Sequence, residues 1–179
     1  MDVLRDIGSL RTSELTVTRF GWWRPYYQLG DGQFMYARLS YKGTFKRYAI
    51  IESNAGMFTI KRKSMLSRIM MLNRGEDETI GELEPATWTR DVTLRMDNGF
   101  EATYLFKKLF SRAYTLSSEP YGDILELKQI AWSIKKAFSV ILSPDNQQQG
   151  KPDTGLLAMI GVHFILLRQA QAAGAAAGQ

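Results

Sequence analysis

The stretch "TGLLAMIGVHFILLRQ", residues 154–169, is the most apolar segment of the chain and contains its single histidine, His163. It predicts an α-helix, because Asp153 or Thr154 can cap its start and Pro152 keeps the preceding chain from entering it. A helix of about 15 residues is roughly 22 Å long, whereas the hydrocarbon core of a bilayer is roughly 30 Å thick. We therefore do not expect this segment to span a membrane.

Apolar side chains surround this helix on every side. A helix on a protein surface keeps one polar stripe, and this one has none, so we expect protein to enclose it. His163 is then a core histidine with one hydrogen-bonded nitrogen, and no cysteine or second histidine exists to complete a metal site. The apolar positions are Leu156, Leu157, Met159, Ile160, Val162, Phe164, Ile165 and Leu166.

The preceding residues, from 14 to 143, alternate between apolar and polar side chains. Examples are "QFMYARLSYK" (33–42), "DVTLRMD" (91–97), "FEATYLFKK" (100–108) and "AFSVILS" (137–143). A period of two with one wet face is typical of antiparallel strands over a single core. The pair Asn98-Gly99 is a strong hairpin signal, and turn signals recur about every 8 to 12 residues.

About a dozen strands and one enclosed helix predict a mainly β fold. We expect a closed antiparallel barrel of about 12 strands around the C-terminal helix, because closure hides the strand edges and leaves a lumen for a helix about 10 Å wide. We expect one domain over residues 1–169, including the core helix at 154–169. The Ala/Gly-rich segment 170–179 is expected to be a flexible tail, since it has little to bury.

This arrangement resembles the tubby C-terminal-like superfamily, which includes tubby proteins, phospholipid scramblases and LURP-one-related proteins. The resemblance covers residues ~14 to 168 and rests on strand order, hairpin spacing and the terminal "GLLAMIGVHFILL". The compact LURP-one-related type is the nearest of the three. Scramblases carry a cysteine cluster and a calcium segment, and this chain has no cysteine, so the resemblance does not imply lipid scrambling. The tubby branch implies a surface for phosphoinositides.

Positive charge is concentrated in the first part of the chain. Residues 1–75 hold 13 Lys and Arg against 5 Asp and Glu, net +8, whereas residues 76–179 hold 10 against 13, net −3. A basic half suggests an anionic partner such as a membrane surface, although a solvated face is the simpler interpretation.

Five basic residues are candidates for binding anionic lipid. Lys42, Lys46 and Arg47 surround one turn, and Lys61 and Lys63 lie in "TIKRKS", where a strand would place both on one face. If the two hairpins are neighbours, these side chains form one patch.

Aromatic residues cluster in "RFGWWRPYYQ", residues 19–28. Trp22 and Trp23 suit a membrane interface or base stacking, but we expect them to close one end of the barrel, because buried rings remove large areas from water. Trp88 and Trp132 are likewise interpreted as structural.

Together these features predict a non-enzymatic binding or scaffold module. We expect peripheral association with anionic, phosphoinositide-type membrane lipids, and the alternative is a protein–protein interaction module with no lipid role. No catalytic residue, metal or cofactor is expected, nor a ligand inside a filled lumen, and nucleic-acid binding is not expected because no RRM, OB or KH signature is present. An enzyme of unrecognised type ranks third. The chain lacks a signal-peptide pattern at its start, so we expect a cytoplasmic protein, with peripheral membrane attachment.

Overall fold

The computed structural model describes residues 4–7, 12–43, 48–107, 113–131, 133, 135–144 and 151–177. Within these ranges the chain forms twelve β-strands and then one α-helix. The strands are β1 Glu14–Phe20, β2 Tyr26–Gly30, β3 Met35–Tyr41, β4 Tyr48–Ser53, β5 Gly56–Arg62, β6 Met70–Arg74, β7 Glu78–Pro85, β8 Val92–Met96, β9 Glu101–Lys107, β10 Ala113–Ser118, β11 Gly122–Gln129 and β12 Lys136–Leu142, and the helix is α1 Thr154–Ala177.

The strands form a closed barrel. Each strand pairs antiparallel with the next one in the chain, and β1 pairs with β12 to complete the ring. Gly32 and Gly99 adopt positive φ at two of the hairpin turns, a conformation that costs glycine little. The predicted fold class, a closed antiparallel barrel of twelve strands, is confirmed.

The period-two pattern sets which side chains face the lumen. In β3, for example, Ala37 and Leu39 are buried, while Arg38 between them lies on the outside and pairs with Glu52. The inward residues of all twelve strands join the helix in one hydrophobic core.

Helix α1 fills the barrel. Every residue from Thr154 to Leu167 is buried. The carboxylate of Asp153 accepts a hydrogen bond from the amide of Gly155 at 2.9 Å and so caps the helix. His163 is buried, and its Nδ1 lies 3.1 Å from the hydroxyl of Tyr41. The enclosed helix and the core histidine are therefore confirmed.

The end of the helix predicted at Gln169 is wrong, because α1 continues to Ala177. The added residues are mostly alanine, the best helix former, and they extend a helix already nucleated inside the barrel. By length and composition alone, Thr154–Ala176 could cross a membrane, but 67% of its apolar window is buried within the barrel.

The up-and-down order of the strands defines two ends of the barrel. Odd-numbered strands finish at one end and even-numbered strands at the other. The helix starts beside Ala37, near the start of β3, and reaches the opposite end, where Arg168 donates a hydrogen bond to the Tyr114 hydroxyl at 3.0 Å. Residues 169–176 are exposed beyond this contact, at the end where odd strands finish.

Candidate functional site

The described loops between strands differ in charge at the two ends of the barrel. We call the end where odd strands finish the basic end: its described loops, 21–25, 42–43, 63–69, 86–91, 130–131, 133 and 135, hold six cationic side chains against the single acid Asp91. The cations are Arg24, Lys42, Lys63, Arg68, Arg90 and Lys135. All six are exposed. These loops lie at one end because successive hairpin turns of an up-and-down barrel alternate between its two ends.

The other end is the acidic end. Its described strand-to-strand turns, 31–34, 54–55, 75–77, 97–100 and 119–121, contain five acidic residues and no Lys or Arg. The acids are Asp31, Glu76, Asp77, Asp97 and Glu119. Glu76 and Asp77 pair with Lys61 on the outer wall, and outside these turns the same end also carries Arg5, beside Phe34, and Lys151, before the helix.

Of the five predicted lipid-binding residues, Lys42 and Lys61 are brought together. The ammonium groups lie 5.6 Å and 4.9 Å from the ring centre of Tyr48, which they flank. Lys46 and Arg47 lie outside the described residues. The structure thus brings the β3–β4 and β5 lysines to one part of the outer wall.

Lys61 is already paired with acidic groups of the chain. The β6–β7 turn lies over the outside of β5, so that the Lys61 ammonium is 3.3 Å from a Glu76 carboxylate oxygen and 3.6 Å from one of Asp77. Tyr48 also donates a hydrogen bond to Glu76. Desolvation opposes ionisation of Lys61, but its hydrogen bonds to Glu76 and Tyr48 together raise its pKa. Lys61 therefore holds its proton firmly, and its charge is locally compensated.

Lys63 is compensated in the same manner, because its ammonium lies 2.9 Å from the carboxylate of Glu82. Arg62, between the two lysines, is exposed at the end of β5. By contrast, Arg24, Arg68 and Lys135 form no ion pair with any described residue. The uncompensated positive charge thus lies in the loops of the basic end rather than on the β5 wall.

The basic end also exposes large apolar side chains. Five of them, on three loops, are between 88% and 97% exposed: Trp22, Trp23, Met65, Leu66 and Trp88. The expectation that Trp22 and Trp23 close the barrel is wrong, as is the structural interpretation of Trp88. The helix already fills the lumen, so the barrel end has no cavity for these rings. Trp132 lies outside the described residues.

Local contacts place Trp22 and Trp23 at the tip of the β1–β2 hairpin. Below them the rings of Phe20 and Tyr26 stack with centroids 5.4 Å apart, and the Arg38 guanidinium lies 4.3 Å from the Tyr26 ring. Gly21 has a φ of +75°, and a Cβ there would meet the Arg24 carbonyl oxygen at 2.8 Å. The stacked rings of Phe20 and Tyr26 and the tight turn at Gly21 leave the indole rings of Trp22 and Trp23 exposed to solvent.

Two further turns hold the other apolar residues outward. The Ser67 amide donates to the Ser64 hydroxyl at 3.1 Å, so Met65 and Leu66 occupy the middle of a closed turn. In the β7–β8 loop the Asp91 amide donates to the Thr89 hydroxyl at 3.2 Å, and the Ala86 amide donates to the Asp91 carbonyl at 3.0 Å. This second loop carries Trp88 at its tip.

The residues that sequence reasoning missed are Met65, Leu66, Arg68, Arg90 and Lys135. Each lies in a connection between strands, where a single apolar or basic residue has no periodicity to reveal it. These residues could have been grouped from the order of the hairpins, because every second turn of an up-and-down barrel lies at the same end.

A separate groove of about 360 Å³ lies on the outer wall beside β1, β2 and the β2–β3 turn. Its ionisable side chains are Asp31 and Lys136. The hydrogen bond from Tyr36, together with backbone amide donors, lowers the pKa of Asp31. The carboxylate of Asp31 is thus occupied in holding the turn.

No protein-family model matches this chain, and searches of curated proteins and of solved structures also find no match.

Proposed function

We propose that this protein is a non-enzymatic binding module of tubby-like architecture that associates peripherally with anionic membranes, through the basic end of its barrel. The observation that carries the proposal is the concentration of exposed cations in the described loops of one end, six in number against the single acid Asp91, of which Arg24, Arg68 and Lys135 form no ion pair with a described residue. The tubby-like assignment is supported by the twelve-stranded closed barrel around a terminal apolar helix.

The charge of the basic end is of the right size for reversible adsorption. A Lys or Arg close to an anionic leaflet contributes about 1 kcal/mol, so the uncompensated residues Arg24, Arg68 and Lys135 supply about 3 kcal/mol. Lys42 and Arg90 add to this. The attraction decays over a Debye length of about 8 Å at physiological salt, which limits it to residues at this end.

A non-enzymatic role is supported by where the reactive side chains lie. His163 is enclosed in the core beside Tyr41, and Asp31 in the outer groove is held by Tyr36 and backbone amides. Phosphoinositide-type or phosphatidylserine-rich lipid of the cytoplasmic leaflet is the partner that suits the basic end.

One observation favours the alternative, a protein-interaction module with no lipid role. Lys61 and Lys63 already bind carboxylates of the chain itself, namely those of Glu76, Asp77 and Glu82. An acidic segment of a partner protein would meet this surface by displacing them.

Vesicle sedimentation at low and high salt tests the proposal. We expect binding to vesicles containing phosphatidylserine or a phosphoinositide, none to phosphatidylcholine alone, and a loss of affinity as salt rises. Arg68→Glu should weaken binding about 30-fold, since it removes one attraction and adds one repulsion of about 1 kcal/mol each.

The matched control is Arg74→Glu, which changes the net charge equally but lies at the last residue of β6, beside the acidic end. It should bind vesicles like the unchanged protein. The absence of binding to any anionic vesicle at low salt would sink the membrane role. A pull-down partner lost with charge-reversed Lys61 and Lys63 would then support the alternative.

A further inference from the structure

We infer that the three apolar loop tips of the basic end insert into the interfacial layer of an anionic bilayer, so that the barrel stands end-on with its helix along the membrane normal. This inference rests on the proposed membrane role and adds an orientation and a binding component that salt does not screen. The tips are Trp22-Trp23, Met65-Leu66 and Trp88.

The distribution of exposed apolar side chains supports this orientation. Isolated apolar residues are common on protein surfaces and need no explanation by themselves. Elsewhere in the described chain the exposed large apolar residues reach only about 40%: Phe20, Phe34, Met57 and Leu105. Those that are almost fully exposed all lie in loops of a single end, and that end also carries the cations.

The chemistry of the tips fits a lipid interface. Tryptophan prefers the headgroup region, where its ring is apolar and its N–H remains hydrated, and leucine and methionine insert just below. Arg24 and Arg68, on two of the same loops, are placed to meet lipid phosphates while the apolar tips enter. Surfaces that bind anionic membranes combine these two kinds of side chain.

The spacing of the tips favours a bilayer over a protein partner. The β1–β2 hairpin is separated from the β5–β6 hairpin by the β3–β4 hairpin around the ring, so the tips protrude at separate points of the rim. A fluid surface accommodates separate protrusions at once, and three points on a rim define a plane across the barrel axis. Insertion of all three tips holds the barrel end-on.

The exposed end of α1 is compatible with this orientation. It emerges at the same end, beyond Arg168, and residues 169–177 contain no charged side chain. At 1.5 Å per residue the segment is roughly 13 Å long, and it adds no charge to the end that faces the membrane.

The test compares binding and insertion separately. Vesicles of phosphatidylcholine with 30% phosphatidylserine, with and without brominated acyl chains, report on insertion through quenching of tryptophan fluorescence. We expect quenching in the unchanged protein, and a binding component that persists when salt is raised. Met65→Ser combined with Leu66→Ser should reduce that salt-resistant binding on the order of tenfold.

Met57→Ser is the matched control, since Met57 is also exposed but lies at the start of β5, at the acidic end. It should bind as the unchanged protein does. Trp22→Ala combined with Trp23→Ala should lower both the quenching and the salt-resistant component, with the fold checked by circular dichroism.

The outcomes separate the two ideas. Binding that is abolished by salt, without quenching and without an effect of the Met65 and Leu66 changes, overturns insertion and leaves the electrostatic membrane role standing. Binding to no vesicle overturns both. A Met57→Ser protein whose quenching and salt-resistant binding fall as far as those of the tip variants would also overturn the end-on orientation.

Discussion

The hydroxyl of Tyr104, on β9, donates a hydrogen bond of 2.7 Å to the backbone carbonyl of Leu157, in the helix. Both residues are fully buried, and burial raises the pKa of Tyr104 well above its usual range. One turn further along the helix lies Gly161, where an added Cβ would stand 3.0 Å from the Tyr104 ring. The barrel wall and the helix therefore meet through a tyrosine that occupies the space left by a glycine.

Tyr104→Phe should lower the free energy of unfolding by about 1 kcal/mol, because it removes one buried hydrogen bond and leaves the ring in place. Urea unfolding measures the change. Tyr26→Phe is the control, since the Tyr26 hydroxyl has no hydrogen-bond partner among the described residues, and it should change stability much less. Equal effects of the two substitutions would contradict the role assigned to the Tyr104 hydroxyl.

Gly161→Ala should destabilise the protein by about 1–3 kcal/mol, because the new methyl would lie 2.3 Å from Leu127 Cδ1 as well as against the Tyr104 ring. Gly174→Ala, in the same helix, is the matched control, since nothing lies within 4 Å of a Cβ there. It should be neutral or stabilising by up to about 1 kcal/mol through helix propensity. Thermal unfolding of both variants measures the two effects, and only Gly161→Ala should lower the stability; a neutral Gly161→Ala would refute the close approach.

Ile160→Asp should prevent folding of a soluble protein, because it places a carboxylate with no partner inside the barrel. Ala170→Asp, on the exposed part of the same helix, should fold normally. Circular dichroism and the soluble yield distinguish the two. An Ile160→Asp protein that stays folded and loses only membrane association would mean that the helix acts as an anchor.

Glu76→Gln should reduce stability at neutral pH and have no effect in strong acid. The hydrogen bond from Tyr48, followed by that from Lys61, lowers the pKa of Glu76 below its ordinary value of 4.5. A group whose pKa is depressed by folding stabilises the fold above its unfolded pKa, and that contribution is lost as pH falls through the folded pKa. The gap between the unchanged protein and the variant should therefore narrow as pH falls below the ordinary pKa of 4.5 and close once pH is below the folded pKa.

Chemical unfolding at pH 7 and pH 3 measures this gap. Glu119→Gln is the control, because Glu119 is exposed in another acidic-end turn and forms no ion pair with the described part of the chain. A gap of the same size at both pH values would contradict the proposed linkage. The predicted loss is small, since Glu76 is exposed and solvent screens its pairs.

The amino-acid sequence by itself determined the fold class. Period-two alternation, turns such as Asn98-Gly99 and the all-apolar helix around Ile160 are local patterns, and each one restricts the backbone without reference to distant residues. Twelve strands that must hide their edges, together with a helix that must be enclosed, leave few arrangements. The cap at Asp153 and the buried state of His163 followed from the same local logic.

Only the tertiary structure decided which charges are free and which rings are exposed. Lys61 is paired with Glu76 because the β6–β7 turn lies over β5, and that contact depends on the register of three strands and on the bulge after Leu72. Trp22 is exposed because the helix occupies the lumen and leaves no space for its ring. The aromatic cluster in the sequence does not by itself indicate whether such space exists. Whether a charge is paired, and whether a loop residue is buried, depends on which residues from distant parts of the chain pack against it. No local pattern in the sequence encodes those contacts.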